Sequence, residues 1–348
     1  MTAVAEATAP AATAPASEPA AITVEGLTAS IRIAGRWFDA VRDVSFEVRR
    51  QETLALVGES GCGKSLTALS IMGLLPAGIG RISAGRIVVD GVDMTAADEA
   101  GKQAMRGERI GMIFQEPMTS LNPVLPVGFQ IAEALVEHRG MGRRQAQARA
   151  LELMELVRIP SAAQRLDAYP HQFSGGMRQR VMIAIALACS PKVLIADEPT
   201  TALDVTIQAQ VLALLADLQV REGLAVLLIT HNLGVVASVA DRVMVMYGGD
   251  VVESAPVKAF FARPTHPYSR ALLAAIPASH PDAAKRQPLL SEDAFGTGAV
   301  EQGCRFAPRC PFVEERCRRV DPLLLPLPDG RAVACHRAAD RSLPHAGA

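Results

Sequence analysis

The sequence predicts an α/β fold, a phosphate-loop core with an inserted helical subdomain and a small Cys-rich C-terminal extension. Three observations predict it. Short apolar runs alternate with segments of helical period between Leu54 and Met246, the pattern of a parallel sheet flanked by helices. From Gln115 to about Gln172 the strand period gives way to apolar residues spaced three and four apart, which places helices inside the core. After about Val257 the composition shifts to Pro, His, Arg and Cys. The expected organisation is a disordered Ala/Pro-rich tail at 1–21, a core at 22–257 with its helical subdomain at about 115–172, and an extension at 258–348 that is separate from the sheet.

The 348 residues suffice for one large domain and a smaller one. Lys and Arg number 35 against 36 Asp and Glu, a net charge of −1, so no basic field points to nucleic acid. No run of eighteen apolar residues occurs, so the chain is not expected to cross a bilayer itself. Residues 1–21 are mostly Ala, Thr, Pro and Glu and lack the basic start and apolar centre of a secretion signal, which suits a cytoplasmic protein.

Taken in order, Ile22–Ile33 and Val44–Val48 alternate loosely and read as strands, with Ile33 to Phe38 as the turn region between them. Leu54–Val57 is a short buried strand. It feeds Gly58-Glu-Ser-Gly-Cys-Gly-Lys-Ser65, which fits G-x-x-x-x-G-K-[ST] at every fixed position, and a helix from Leu66 to Leu75 follows. The glycines let successive N–H groups converge on one anion, and the helix points its positive end at the same place. Gly58, Ser60, Gly61, Cys62, Gly63, Lys64 and Ser65 therefore make a nucleotide phosphate site. Lys64 reaches the terminal phosphates, and Ser65 reaches Mg2+.

Gly85–Gly91 and Arg109–Phe114 read as further strands. Gln115-Glu-Pro-Met-Thr-Ser-Leu-Asn-Pro123 interrupts the pattern, and Val127–His138 and Arg143–Val157 are helical. Ser174 is placed to cap a helix running to about Ala188. Val193–Glu198 is an apolar strand ending in two carboxylates, where an open parallel sheet presents its ligands. Asp197 near Ser65 can hold Mg2+, and Glu198 can polarise a water against the γ-phosphate of ATP. Helix Thr206–Val220, strand Ala225–Ile229, a further helix and strand Arg242–Met246 complete the alternation.

A second Gly-rich helix start, Ser174-Gly175-Gly176, is redundant beside a phosphate loop unless it serves a neighbour's nucleotide. With it the chain resembles the nucleotide-binding subunits of ABC transporters. It carries that family's phosphate loop (Gly58 to Ser65), Q-loop Gln115, signature Ser174 to Gly176, Walker B Asp197 with catalytic Glu198, D-loop Ala202-Leu203-Asp204 and switch His231, in the family's order. The resemblance implies an α/β ABC ATPase that pairs head to tail, two ATP molecules lying between one subunit's phosphate loop and the other's signature and D-loop (Asp204). It gives Gln115 a place on Mg2+ and His231 a contact to the γ-phosphate. Met177 stands where the signature usually has Gln. The aligned position of the adenine-stacking aromatic is Ile31, with Trp37 and Phe38 nearby.

Phe114–Pro123, Tyr169–Arg180 and Thr265-His-Pro-Tyr to Pro277 resemble the ATPases of dipeptide and oligopeptide permeases. That resemblance implies an ATPase on the cytoplasmic face of the cell membrane. Its partners would be a second ATPase subunit (a paralogue), two transmembrane permease subunits and an extracytoplasmic binding protein, with no nucleic acid. The alternatives are another solute (nickel, glutathione or a haem-like compound) or a soluble ABC ATPase acting on nucleic acid.

Cys304, Cys310, Cys317 and Cys335 crowd a Pro-rich segment that can build little core, so a metal would replace missing packing. Four thiolates suit zinc or an iron–sulfur cluster. The C-x2-C pairs usual for zinc are absent, and this looser spacing together with the resemblance favours [4Fe-4S] over Zn2+. Buried free thiols are the third reading, and His336 could replace Cys335 as a ligand. Cys62 and Cys189 read as packing residues.

Overall fold

The computed structural model describes residues 19–116, 120–201, 203–275, 302–340 and 342–343. Most of the expected N-terminal tail, residues 117–119 of the Gln115 loop, Ala202 of the D-loop and residues 276–301 lie outside the described residues.

The chain begins with a long hairpin, β1 (Ile22–Ile33) and β2 (Arg36–Val48), which pair antiparallel from Ile22↔Val48 to Ile33↔Arg36. The turn is only Ala34–Gly35, both at positive φ (48° and 82°), the geometry that matches strand twist in a two-residue hairpin. Trp37 and Phe38, expected in a turn, therefore lie in a strand: local alternation was too weak to outweigh Gly35, but cross-strand pairing holds them extended. With β4 (Gly80–Val89) and β5 (Val92–Asp93) the hairpin forms a sheet of order β2-β1-β4-β5.

The main sheet contains β3 (Thr53–Val57), β6 (Ile110–Ile113), β7 (Val193–Asp197), β8 (Ala225–Thr230), β9 (Arg242–Tyr247), β10 (Asp250–Pro256), β11 (Leu325–Pro326) and β12 (Ala332–Val333). Its order is β11-β12-β10-β9-β3-β8-β7-β6. From β9 to β6 neighbouring strands run parallel; β10, β12 and β11 are added antiparallel. Every residue of β3, β6, β7 and β8 is buried, as strands covered on both faces must be. The expectation that the extension stands apart from the sheet is corrected here. Val333 and Ala332 pair with Glu253 and Ser254, so the C-terminal segment closes the β10 edge. Two-residue strands carry no readable alternation, and only tertiary pairing makes them.

Three cores result. Helices Val127–Arg139, Arg143–Leu156 and Gly175–Leu187 pack through Ile131, Leu135, Leu153, Met154 and Val181. Helix Lys64–Met72 packs Ala68 and Ile71 between the two sheets. On the far face Val57, Val245, Phe260, Tyr268 and Phe306 join core to extension. Among the described residues no helix is long and apolar enough to cross a membrane.

Candidate active site

The phosphate loop joins β3 to helix Lys64–Met72, as the spacing predicts, and its shape depends on glycine. Gly58 lies at φ 157°, and a Cβ there would sit 2.2 Å from the Met246 carbonyl oxygen. Gly63 lies at φ 107°, where a Cβ would approach the Ala40 carbonyl to 2.7 Å. Either substitution drives a side chain into backbone, so neighbouring strands leave the loop one conformation. Lys64 is buried, and its Nζ donates to the carbonyls of Gly58 (2.8 Å) and Glu59 (2.9 Å). The ammonium is thus held over the loop's own backbone, where an incoming phosphate can replace those bonds. Beside it Cys62 packs in the core, its thiol pushed up by burial.

The ends of β6, β7 and β8 bring Gln115, the sequence-predicted carboxylates and His231 together. Glu198 sits at φ 47°, unusual for a residue with a side chain, and its N–H is anchored on the Ile229 carbonyl at 2.9 Å. Its carboxylate accepts from Gln115 Nε2 (3.2 Å) and Thr201 Oγ1 (2.9 Å), and lies 3.0 Å from His231 Nδ1. Thr201 was not expected from sequence; a hydroxyl three residues past Glu198 in the turn is the signal that could have found it. Burial would raise the Glu198 pKa, but the His231 and Thr201 hydrogen bonds, with the charge of Lys64, hold it below the usual range. Asp197 next door is shifted up, chiefly by burial and further by Glu198, although the Ser65 hydroxyl and Lys64 favour its charge. Its Oδ1 is buried with no hydrogen-bond partner. An orphaned carboxylate oxygen beside a serine hydroxyl fits the donor set of a divalent cation.

Ser174–Gly176 is not part of this cluster. Ser174 caps helix Gly175–Leu187 by accepting from Met177 N, as expected. Gly176 has a packing reason: its Cβ would lie 2.4 Å from Ile207 Cγ2 of helix Val205–Glu222. Gly175 is open. Asp204 caps that second helix through Ile207 N at 2.9 Å.

Cross-strand register separates the two aromatic candidates near Ile31. Directly opposed residues share a face, so Phe38 lies beside Ile31 and Trp37 beside Arg32 on the other side. Ile31 follows Ala29 by two, and the Ala29 partner Val41 packs on Gly63. Phe38 is 46% exposed on the face of Ile31, while Trp37, on the opposite face, stacks under the Arg81 guanidinium at 4.2 Å.

The Thr265-His-Pro-Tyr stretch forms a relay of caps. Glu253 of β10, fully buried, accepts from the N–H groups of Thr265 and His266, both at 2.8 Å. His266 Nδ1 accepts from Tyr268 N at 3.1 Å and so caps helix Pro267–Ala274, with Pro267 at its first position. Burial, aided by Arg270, pulls the His266 pKa down to about 3, which keeps this acceptor neutral. Tyr268 then packs against Tyr247 and Phe306.

Cys304, Cys310, Cys317 and Cys335, with His336 and Phe306, line one cavity of about 20 Å³. Among the described residues no group of three or more His, Cys, Asp or Glu side chains is arranged to hold a metal ion. A metal centre held by these sulfurs would have to release the thiol protons. Burial, and repulsion from the neighbouring sulfurs, push the Cys304 thiol up to about 12, and burial raises Cys310 and Cys335. His336 Nε2 is turned to the Val320 carbonyl at 2.9 Å, so it serves as a strut for the segment.

Comparison with known proteins agrees with this arrangement. The family profile described as ABC transporter matches residues 41–201, and that of the oligopeptide/dipeptide transporter C-terminal region matches residues 252–317. The chain is 51% identical to the oligopeptide transport ATP-binding protein AppD of Bacillus subtilis over 85% of its length and 90% of that protein's. It is 48% identical to the dipeptide transport ATP-binding protein DppD of Escherichia coli, over 87% and 92%. The solved dimer of the ATP-binding cassette MJ0796 in a post-hydrolysis state with ADP and Pi superposes with a TM-score of 0.61 at 26% identity, covering 68% of this chain and 98% of that one. The α/β core is thus an ABC ATPase fold, and the chain belongs to the ATP-binding proteins of the ABC transporter family, in the branch that carries the oligopeptide/dipeptide C-terminal region.

Proposed function

We propose that this chain is the ATP-hydrolysing subunit of an importer for di- and oligopeptides, and that it works as one half of an ATPase pair. The observation that carries the reading is the convergence of Gln115, Thr201 and His231 on Glu198, beside Asp197 and the phosphate loop. Two adjacent carboxylates with opposite shifts divide the work. Asp197 and Ser65, with Gln115, would hold Mg2+, which when bound neutralises charge on the phosphates. Lys64 and the loop N–H groups bind the β- and γ-phosphates. Glu198, kept ionised, accepts a proton as a water oxygen attacks the γ-phosphorus and the bridging oxygen leaves with ADP. His231, 61% exposed, is free to turn from Glu198 to the γ-phosphate.

The signature Ser174–Gly176 and Asp204, away from this chain's own loop, would close on the nucleotide of a partner ATPase, which family resemblance makes a paralogue. ATP would favour the closed pair, and hydrolysis would remove that bias. The helices at about 115–172 would dock a transmembrane permease subunit, holding the protein on the cytoplasmic face of the cell membrane, with an extracytoplasmic binding protein supplying the peptide. Names of relatives and the match over 252–317 favour peptides over nickel, glutathione or a haem-like solute, and over nucleic acid. The four cysteines would hold [4Fe-4S], with Zn2+ the alternative; their shared cavity supports a common centre.

Glu198→Gln should bind ATP with near wild-type affinity, lose turnover by about 10²- to 10⁴-fold, the range of a general base, and accumulate as closed dimer in gel filtration. Turnover at the wild-type rate would overturn the assignment.

A further inference from the structure

The C-terminal extension grips the phosphate loop at one residue, Glu59, from two directions. Arg309 Nη1 donates to Glu59 Oε2 at 2.9 Å and to Tyr247 Oη at 3.3 Å, and the ion pair is mostly shielded, with side chains 14% and 30% exposed. The Glu59 backbone N–H donates to Tyr268 Oη at 3.0 Å. Its carbonyl is one of the two that Lys64 engages. Donor, acceptor and side chain of a single loop residue are all held, two of the three by residues outside the core.

Glu59 occupies a variable position of the loop pattern, so phosphate chemistry does not require a carboxylate there. The contacts instead fix the crown of the loop, where N–H groups must converge before the anion arrives. Phe306, against Tyr247 at 5.2 Å and Tyr268 at 5.5 Å between ring centres, wedges this arrangement from the extension side. Phe306 and Arg309 both lie between Cys304 and Cys310, two of the four thiols around the shared cavity.

We propose that Arg309 and Tyr268 are positioning residues for ATP, which makes the extension part of the nucleotide site. The proposal rests on the loop being the ATP site. By reciprocity, whatever organises the thiol cavity also tunes ATP affinity through the segment that bears Arg309.

The test measures binding of a fluorescent ATP analogue and steady-state turnover on the full-length protein as wild type, Arg309→Gln, Glu59→Gln, the double variant and Tyr268→Phe, with Lys64→Ala as control and a melting curve for each. Each of the first two substitutions should weaken ATP binding about tenfold, the scale of one lost charge-assisted contact. The double variant should be no weaker than either single one, and KM should rise while kcat holds. Tyr268→Phe, which keeps the ring, should weaken binding by a smaller factor. Wild-type affinity in Arg309→Gln, or additive losses in the double variant, would overturn the proposal. If Arg309→Gln unfolds, Tyr268→Phe decides, and unchanged affinity there overturns it. Wild-type affinity in Lys64→Ala would instead overturn the ATP-site reading, so the two failures are distinguishable.

Discussion

At the residue scale, neighbouring side chains of like type diverge because their surroundings differ. Asp197 and Glu198 are adjacent carboxylates, yet burial leaves one with an orphaned oxygen while His231, Thr201 and the charge of Lys64 hold the other ionised. Trp37 and Phe38 diverge as sharply: strand alternation sends one to Arg81 and the other to the face of Ile31. Phe38, exposed beside Ile31, is therefore the aromatic we propose for stacking on adenine. Phe38→Ala should raise the Kd for ATP by about five- to tenfold, the loss of one base–aromatic stack, while Trp37→Ala stays within about twofold. Equal losses from both, measured by titration calorimetry, would refute the face assignment.

At the element scale, the helix Pro267–Ala274 shows how a buried charge network anchors an extension. Glu253 on β10 holds the backbone of Thr265 and His266, and neutral His266 caps the helix whose Tyr268 meets Glu59. The titratable and charged groups facing His266 are Glu253 and Arg270 together with Cys304, Cys310, Cys317, Cys335, His336 and Arg337 around the shared cavity, and burial dominates. Its folded pKa of about 3 lies below the ordinary 6.5, so between those values the unfolded chain binds more protons than the folded one. The sign follows: this contribution is present above pH 6.5 and is lost as pH falls. His266→Asn keeps a capping acceptor without titrating. Wild type should lose stability more steeply than the variant with each pH unit below 6.5. Melting curves between pH 7.5 and 5 that fall in parallel would disprove it.

At the scale of the whole molecule, the C-terminal segment is tied into the core at several places. It supplies β11 and β12 to the sheet edge, Phe306 to the core, and Arg309 to the phosphate loop. A segment so poor in its own core would gain from a bound metal, and the four thiols around one cavity are the ligands we propose for it. Anaerobically purified protein should carry about four irons and matching sulfide per chain with a broad visible band, lost in Cys310→Ser. One zinc and no colour would make the centre a structural staple, and no metal in either protein would leave the thiols as packing.

The sequence by itself determined the phosphate loop, the carboxylate-ended strand, Gln115, His231, Ser174 as a cap and the parallel alternation, because each is written in local spacing and residue type. Gly58 and Lys64 could be named without coordinates since their chemistry resides in the loop they form. Tertiary structure alone decided the rest. The two-residue strands β11 and β12, the face that Phe38 occupies, the packing role of Gly176 and the grip of Arg309 on Glu59 depend on partners 7 to 250 positions away. No local period encodes such pairings; the chain must close its loops before those residues meet.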